Sequence, residues 1–218
     1  MKNFDYQVII DSLPFLLDGL LLSFELTALA IVFGLAWGTL LAMMRIWGPA
    51  PVRWFSAIYV NAFRSVPLIL VIFWFYFLVP LVTGESVGQF YSALIAFSLF
   101  EAAYYAEIMR AGFKSVSQGQ FHAGQAIGLT YRQNLQYIVL PQAFRNMVPV
   151  LVTQAIILFQ DTSLVYVVAL RDFMTSASVV ANREGRLIEM YVFAALVYFV
   201  ICFSGSMLVR HLQKKRVS

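Results

Sequence analysis

The chain has 218 residues, of which 61% are hydrophobic and 12% charged, with a mean hydropathy of +0.79. Soluble domains carry about 25% charged residues, so half that share excludes an ordinary soluble protein and places the chain among integral membrane proteins. The net charge of +4 does not single out nucleic acid, because excess Lys and Arg also orient membrane spans; the single cysteine, Cys202, excludes an intrachain disulfide and a Cys-rich metal site.

In chain order, residues 1–19 mix acidic and apolar positions around Pro14 and Gly19 and predict an interfacial turn or short helix. The apolar run that follows is too long for the core of a signal peptide and has no small-residue cleavage site, so it reads as a permanent span. This first span covers about 20–44, and Gly34 and Gly38, four apart, allow another helix to approach closely. Gly48, Pro49 and Pro51 mark a loop over 45–54. The second span, about 58–82, contains Arg64 and Pro67, which predict a broken or kinked first part. A short polar loop over 83–89 leads to the third span, about 90–109, with Glu101 and Glu107. Glu107 and Arg110 are three apart on one helix face and are expected to pair.

Residues 110–145 form the longest polar segment. Ser117 with Gln120, and Thr130 with Gln133, both fit capping boxes. They predict two short helices, one over 118–127 closed by Gly128 as a C-cap and one over 131–140 ended by Pro141. The fourth span covers about 148–170, a charged loop 171–187, and the fifth span about 188–209, ahead of a basic tail. No internal repeat is visible. The chain reads as one domain, 1–218, an all-α integral membrane protein with five transmembrane helices.

Five spans put the two ends on opposite sides. Arg45, Arg53, Arg64, Arg110, Lys114, Arg132, Arg145, Arg210, Lys214, Lys215 and Arg216 fall on the side of the 110–145 loop and the tail, against Lys2, Arg171, Arg183 and Arg186 on the other. The positive-inside rule then predicts a cytoplasmic loop and C-terminus and an N-terminus on the outside.

The loop also carries a motif. Gly128 is followed after nine residues by Ile138, and then by Leu140 and Pro141; six residues before Gly128 stand His122, Ala123 and Gly124. This spacing resembles the cytoplasmic motif of ABC importer permeases: Glu-Ala-Ala, three residues, Gly, nine residues, Ile, one residue, Leu-Pro. His122 stands in place of the motif's Glu and Gly124 in place of its second Ala. Glu101-Ala102-Ala103 reads literally as the motif's start, but lies within a span and has Glu107 where the glycine belongs. The runs Phe63-Arg64-Ser65-Val66-Pro67-Leu68 and Gln160-Asp161-Thr162-Ser163-Leu164, and the pair Gln142-Ala143, resemble the polar amino acid branch of these permeases (histidine, glutamate, glutamine, arginine and opine importers) over nearly the full length. The pattern is most similar to glutamate/aspartate import permeases.

That resemblance implies the type I importer permease fold in a bacterial inner membrane, with a periplasmic N-terminus and with His122, Ala123, Gly124, Gly128, Ile138, Leu140 and Pro141 in a coupling loop that docks on a cytoplasmic ATPase pair. It further implies a second permease subunit, a paralogue rather than a second copy, a periplasmic solute-binding protein, and an amino acid substrate. Membrane lipid surrounds the spans, no nucleic acid is involved, and the chain holds no cofactor or metal. ATP and magnesium belong to the ATPase subunit, since no phosphate-loop motif is present and this chain is not itself an enzyme.

Polar residues within spans face a cavity or a partner helix. Arg64, Gln154, Gln160, Asp161, Thr162 and Ser163 are the candidates for a translocation path. The alternative for Asp161 is a salt bridge or helix–helix hydrogen bond, and for Arg64 a snorkelling position at the membrane edge. A rival reading of the whole chain is a stand-alone ion- or proton-coupled carrier that uses Glu101 and Asp161 as titrating groups.

Overall fold

The computed structural model describes residues 4–214, so Lys2, Lys215 and Arg216 of the charge count lie outside the described residues. Every element within that range is helical. The first is α1, Gln7–Trp47, a single helix of 41 residues. The expected turn over 1–19 is replaced by its first turns: Pro14 lies inside the helix, and the buried Ser12, Leu16 and Gly19 hold this part against the protein. The expected loop over 45–54 shrinks to a break at Gly48 and Pro49, because Pro51 falls in the first turn of α2, Ala50–Arg64, where a missing N–H costs nothing.

At Arg64 the chain turns through 103° into a second segment, Leu68–Thr83, so the expected broken span is present. That segment consists of α3, Leu68–Phe73, one wide π turn, Trp74–Leu78, and α4, Val79–Thr83. Then come α5, Gln89–Lys114, and α6, Gln118–Ala126. The next helix starts as α7, Tyr131–Asn134, passes a π turn at Leu135–Val139, and continues as α8, Leu140–Asp161, with a 3-10 extension, Thr162–Val168. Pro141 therefore does not end a helix. At both π turns the next N–H reaches back five residues, Val79 to Trp74 O and Leu140 to Leu135 O, and a proline follows one residue later, Pro80 and Pro141. The widened turn loosens the backbone where a proline ring would otherwise crowd the carbonyl four residues back.

The expected loop over 171–187 also departs from expectation. It contains α9, Phe173–Glu184, whose buried Phe173, Ala177, Val180 and Ala181 form one helical stripe. Its N-cap is Asp172, fully buried, whose carboxylate accepts the N–H groups of Met174 and Thr175, both at 3.0 Å, and the Thr175 hydroxyl. The last helix is α10, Leu187–Lys214. Among the described residues, four helices are long and apolar enough to span a membrane, or five when the bent pair counts as one span.

α1 and α5 run side by side and are the centre of the bundle. A Cβ on Gly38 would lie 2.8 Å from the Ala102 carbonyl oxygen and 2.9 Å from Tyr105 Cβ, and one on Gly34 would lie 3.2 Å from Glu101 Cβ. Small residues thus allow the close helix contact that membrane packing depends on. Leu26, Ala30, Phe97, Phe100 and Leu158 continue this core onto α8 and α3. A second core, Leu16, Phe173, Ala177, Met190 and Ala194, fixes α9 between α1 and α10. Ion pairs close both ends. Arg45 lies 3.3 Å from Glu107, which also pairs with Arg110 as expected; at the opposite end Arg186 reaches Asp5 at 3.3 Å and Glu189 at 3.1 Å.

Candidate functional site

The 117–141 segment leaves the bundle at the Arg45–Glu107–Arg110 end and forms a compact helical turn. Thr130 makes the expected reciprocal cap: its Oγ1 accepts the Gln133 N–H at 3.4 Å, and its own N–H donates to Gln133 Oε1 at 2.9 Å. Ser117 does not; its side chain makes no cap bond, and its backbone carbonyl accepts the Gln120 N–H at 3.1 Å instead. α6 ends at Ala126 with Ile127 as its C-cap, and Gly128 follows with φ +85. Gly128 N–H donates to Gln125 O at 3.0 Å and Leu129 N–H to Gly124 O at 3.1 Å. These two bonds are a Schellman motif, which places a left-handed residue where glycine is the least strained choice.

The motif residues divide into two groups. Gly124 is buried and Ile138 half-buried, and they face each other: a Cβ on Gly124 would lie 2.7 Å from Ile138 Cδ1. His122, Ala123, Gly128, Leu140 and Pro141 are exposed. His122 Nδ1 lies 3.4 Å from Gln125 Oε1, one turn on. Around them stand Ile127, 75% exposed, Tyr137, 65%, and Tyr131, 58%. These apolar side chains on a polar segment form a surface suited to a protein partner.

Sequence reasoning missed Asn134. It is fully buried, and its side-chain amide donates to Phe121 O at 2.6 Å, joining α6 to the base of α8. The available signal was an asparagine one turn beyond Thr130, a small amide at the start of a helix.

The residues expected along a path are not brought together. Gln154 is buried inside the subunit and donates to both oxygens of the fully buried Glu101, at 3.2 and 3.1 Å. It therefore ties α8 to α5. Glu101 sits mid-way along α5. Gln160 is exposed, and Thr162 is buried with its hydroxyl donating to Phe159 O at 2.7 Å. Asp161 is half-buried and makes no side-chain hydrogen bond or ion pair among the described residues, so the salt bridge considered for it is not formed there. Arg64 is exposed, with its guanidinium carbon 5.3 Å from the centre of the Tyr104 ring, a cation–π contact. Of the six, only Ser163 lines the large cavity at the opposite end of the bundle, about 820 Å³, together with Tyr166, Arg171, Thr175, Ser178 and Tyr191.

Residues 30–218 match the family described as binding-protein-dependent transport system inner membrane component. The chain belongs to this family. As an inner membrane component of that type it is 51% identical to the glutamate/aspartate import permease protein GltK of Escherichia coli O6:H1, over 99% of both chains. It is 32% identical to the arginine transport system permease protein ArtQ of Bacillus subtilis, over 98% of this chain and 97% of that one. The crystal structure of an amino acid ABC transporter with histidines superposes with a TM-score of 0.91 at 26% identity, covering 97% and 98% of the two chains. An inward-facing MetNI methionine ABC transporter, at 21% identity and a TM-score of 0.66, shares the fold. Membership in this family favours a permease subunit of an ABC importer over a stand-alone coupled carrier.

Proposed function

We propose that the chain is one of two permease subunits of an ATP-driven importer that moves acidic amino acids, glutamate and aspartate, into the cell. The observation that carries the substrate class is the full-length 51% identity to GltK. The 117–141 turn supports the coupling role: it projects from the bundle, is closed by the Gly128 turn and the Thr130–Gln133 cap, and presents exposed Ile127, Tyr131 and Leu140. In this reading His122, Ala123, Gly128, Leu140 and Pro141 meet a cytoplasmic ATPase subunit, while Gly124 and Ile138 keep α6 in shape behind them. The loop end and C-terminus then face the cytoplasm and the Asp5 end faces the periplasm. A paralogous permease and a periplasmic solute-binding protein complete the assembly. ATP and magnesium are held by the ATPase pair, and closure of that pair moves α6 and biases the bundle between inward- and outward-open states.

Gln160, Asp161 and Ser163 remain the side chains proposed to meet the passing substrate, and Arg64 is proposed to attract its carboxylates. The decisive experiment measures uptake of labelled glutamate, aspartate, glutamine and histidine in a strain lacking this chain and any redundant acidic amino acid importer. Loss of glutamate and aspartate uptake, restored by the wild-type chain and not by a Gly128→Trp variant of equal abundance, is expected. Unchanged acidic amino acid uptake overturns the substrate; full restoration by Gly128→Trp overturns the coupling role.

A further inference from the structure

We propose that the recess between the end of α1 and the open face of α2 binds the phosphodiester headgroup of an anionic glycerophospholipid. α2 is pinned by one face only. Ser56 Oγ donates to Leu41 O at 2.8 Å, Tyr59 donates to Leu99 O at 2.9 Å, and Val60 is fully buried against α1 and α5. The other face is open, and Arg53, Trp54, Ile58 and Asn61 stand along it at helical spacing. Together with Arg45 from the last turn of α1 they line a recess of about 510 Å³.

Its charge is strongly one-sided. Arg53 is exposed, and its guanidinium makes no hydrogen bond or ion pair among the described residues. Arg45 shares the single carboxylate of Glu107 with Arg110. The recess itself is lined by Arg45 and Arg53 and by no carboxylate. A phosphodiester only accepts hydrogen bonds, and guanidinium groups present paired donors that match it.

The recess is also apolar. Trp54 is 70% exposed and Ile58 57% exposed. A soluble phosphate gains nothing from these two side chains, whereas a phospholipid covers them with its glycerol backbone and the first methylenes of its acyl chains. An exposed tryptophan beside arginines at the end of a span is the composition of a membrane–water interface. The site lies at the loop end of the bundle, next to Trp47 and Phe113, which are in edge contact at 5.4 Å. Occupancy would brace the junction of α1, α2 and α5.

The test is native mass spectrometry of the full-length chain in its assembled complex, with phosphatidylglycerol and phosphatidylcholine of identical acyl chains titrated into detergent. Wild type is expected to retain phosphatidylglycerol in preference to phosphatidylcholine. Arg53→Gln is expected to lower phosphatidylglycerol affinity about five-fold, and Arg53→Lys to keep most of it. Arg53 is unpaired and exposed, so the unfolding midpoint of Arg53→Gln without added lipid should match wild type. A second variant, Trp54→Ala, should weaken both lipids through the lost apolar wall. Equal retention of the two lipids by wild type overturns the proposal, as does unchanged phosphatidylglycerol binding in Arg53→Gln. Inorganic phosphate at millimolar concentration should not displace the lipid; full displacement makes this a soluble-anion site and overturns the lipid assignment.

Discussion

Gly124 and Asn134 fit together with no room for a side chain between them. A Cβ on Gly124 would lie 2.5 Å from Asn134 Oδ1 and 2.7 Å from Asn134 Cγ. Asn134 occupies that space because its amide is bonded to Phe121 O, and it is fully buried. This accounts for glycine where the importer motif has its second alanine: here the side chain that fills the space comes from position 134.

Gly124→Ala is therefore expected to push α6 away from the base of α8, at a cost of about 1–3 kcal/mol typical of overpacking. Amide hydrogen exchange over residues 118–129 should quicken, because the strain falls on a nine-residue helix rather than on the bundle. Gly124→Ala combined with Asn134→Ala should recover part of the protection, since the clash with Asn134 is removed. Equal exchange in Gly124→Ala and wild type would show that Asn134 yields at no cost.

The Glu101–Gln154 pair should behave as a coupled unit. Gln154→Leu leaves a buried carboxyl group without its donor, which costs about 2 kcal/mol when helix–helix hydrogen bonds in membranes are otherwise modest. Changing both residues to leucine should cost less than the sum of the single changes, because no polar group is then left unpaired. A double-mutant cycle on thermal unfolding in detergent checks this; strict additivity would mean that the pair contributes nothing beyond packing.

Asp172 gives a pH signature. Burial pushes its carboxyl above the ordinary range, opposed by hydrogen bonds from the Thr175 hydroxyl and the Thr175 and Met174 N–H groups. A raised folded-state value means that the charged form is disfavoured by folding. The stability associated with this group is thus present in full below its unfolded value, about 3.9, and is lost as pH rises through the folded value. Asp172→Asn keeps a cap acceptor and cannot charge. Its unfolding midpoint relative to wild type should therefore rise with pH across that window and then level off. Asp172→Ala should cost about 1 kcal/mol relative to Asp172→Asn at every pH, through the lost cap acceptor.

The parts of the fold that were legible in the sequence are those whose cause is local. Thr130 and Gln133 cap each other across three residues, Gly128 sits where a left-handed turn closes α6, and Pro67 marks the bend after α2. The failures share a different origin. The sequence of α9 looks like loop because its charges, Arg171, Asp172, Arg183 and Glu184, lie at its ends, while its apolar stripe is short and half alanine. Pro141 looks like a helix end because a π turn cannot be foreseen from the proline that it accommodates. Asn134 and Gln154 gain their meaning from partners 13 and 53 residues away, which no local pattern reports.

Gly128 isolates the backbone contribution to the loop. Its φ is +85, and a Cβ there would meet nothing within 4 Å, so any effect of a small side chain is conformational and not steric. Gly128→Ala should cost about 1 kcal/mol by forcing an L-residue into the left-handed region, and Gly128→Asn less, because asparagine tolerates that region. A β-branched Gly128→Val should cost most. In the assembled importer the order of ATP-driven uptake is then expected to be wild type, Asn, Ala, Val, matched by progressively faster exchange of the Gly128 and Leu129 amides as the Schellman bonds open. If Asn and Ala are equal in both measurements, the left-handed turn is not what holds α6 in place, and contacts made by its exposed face would have to do so.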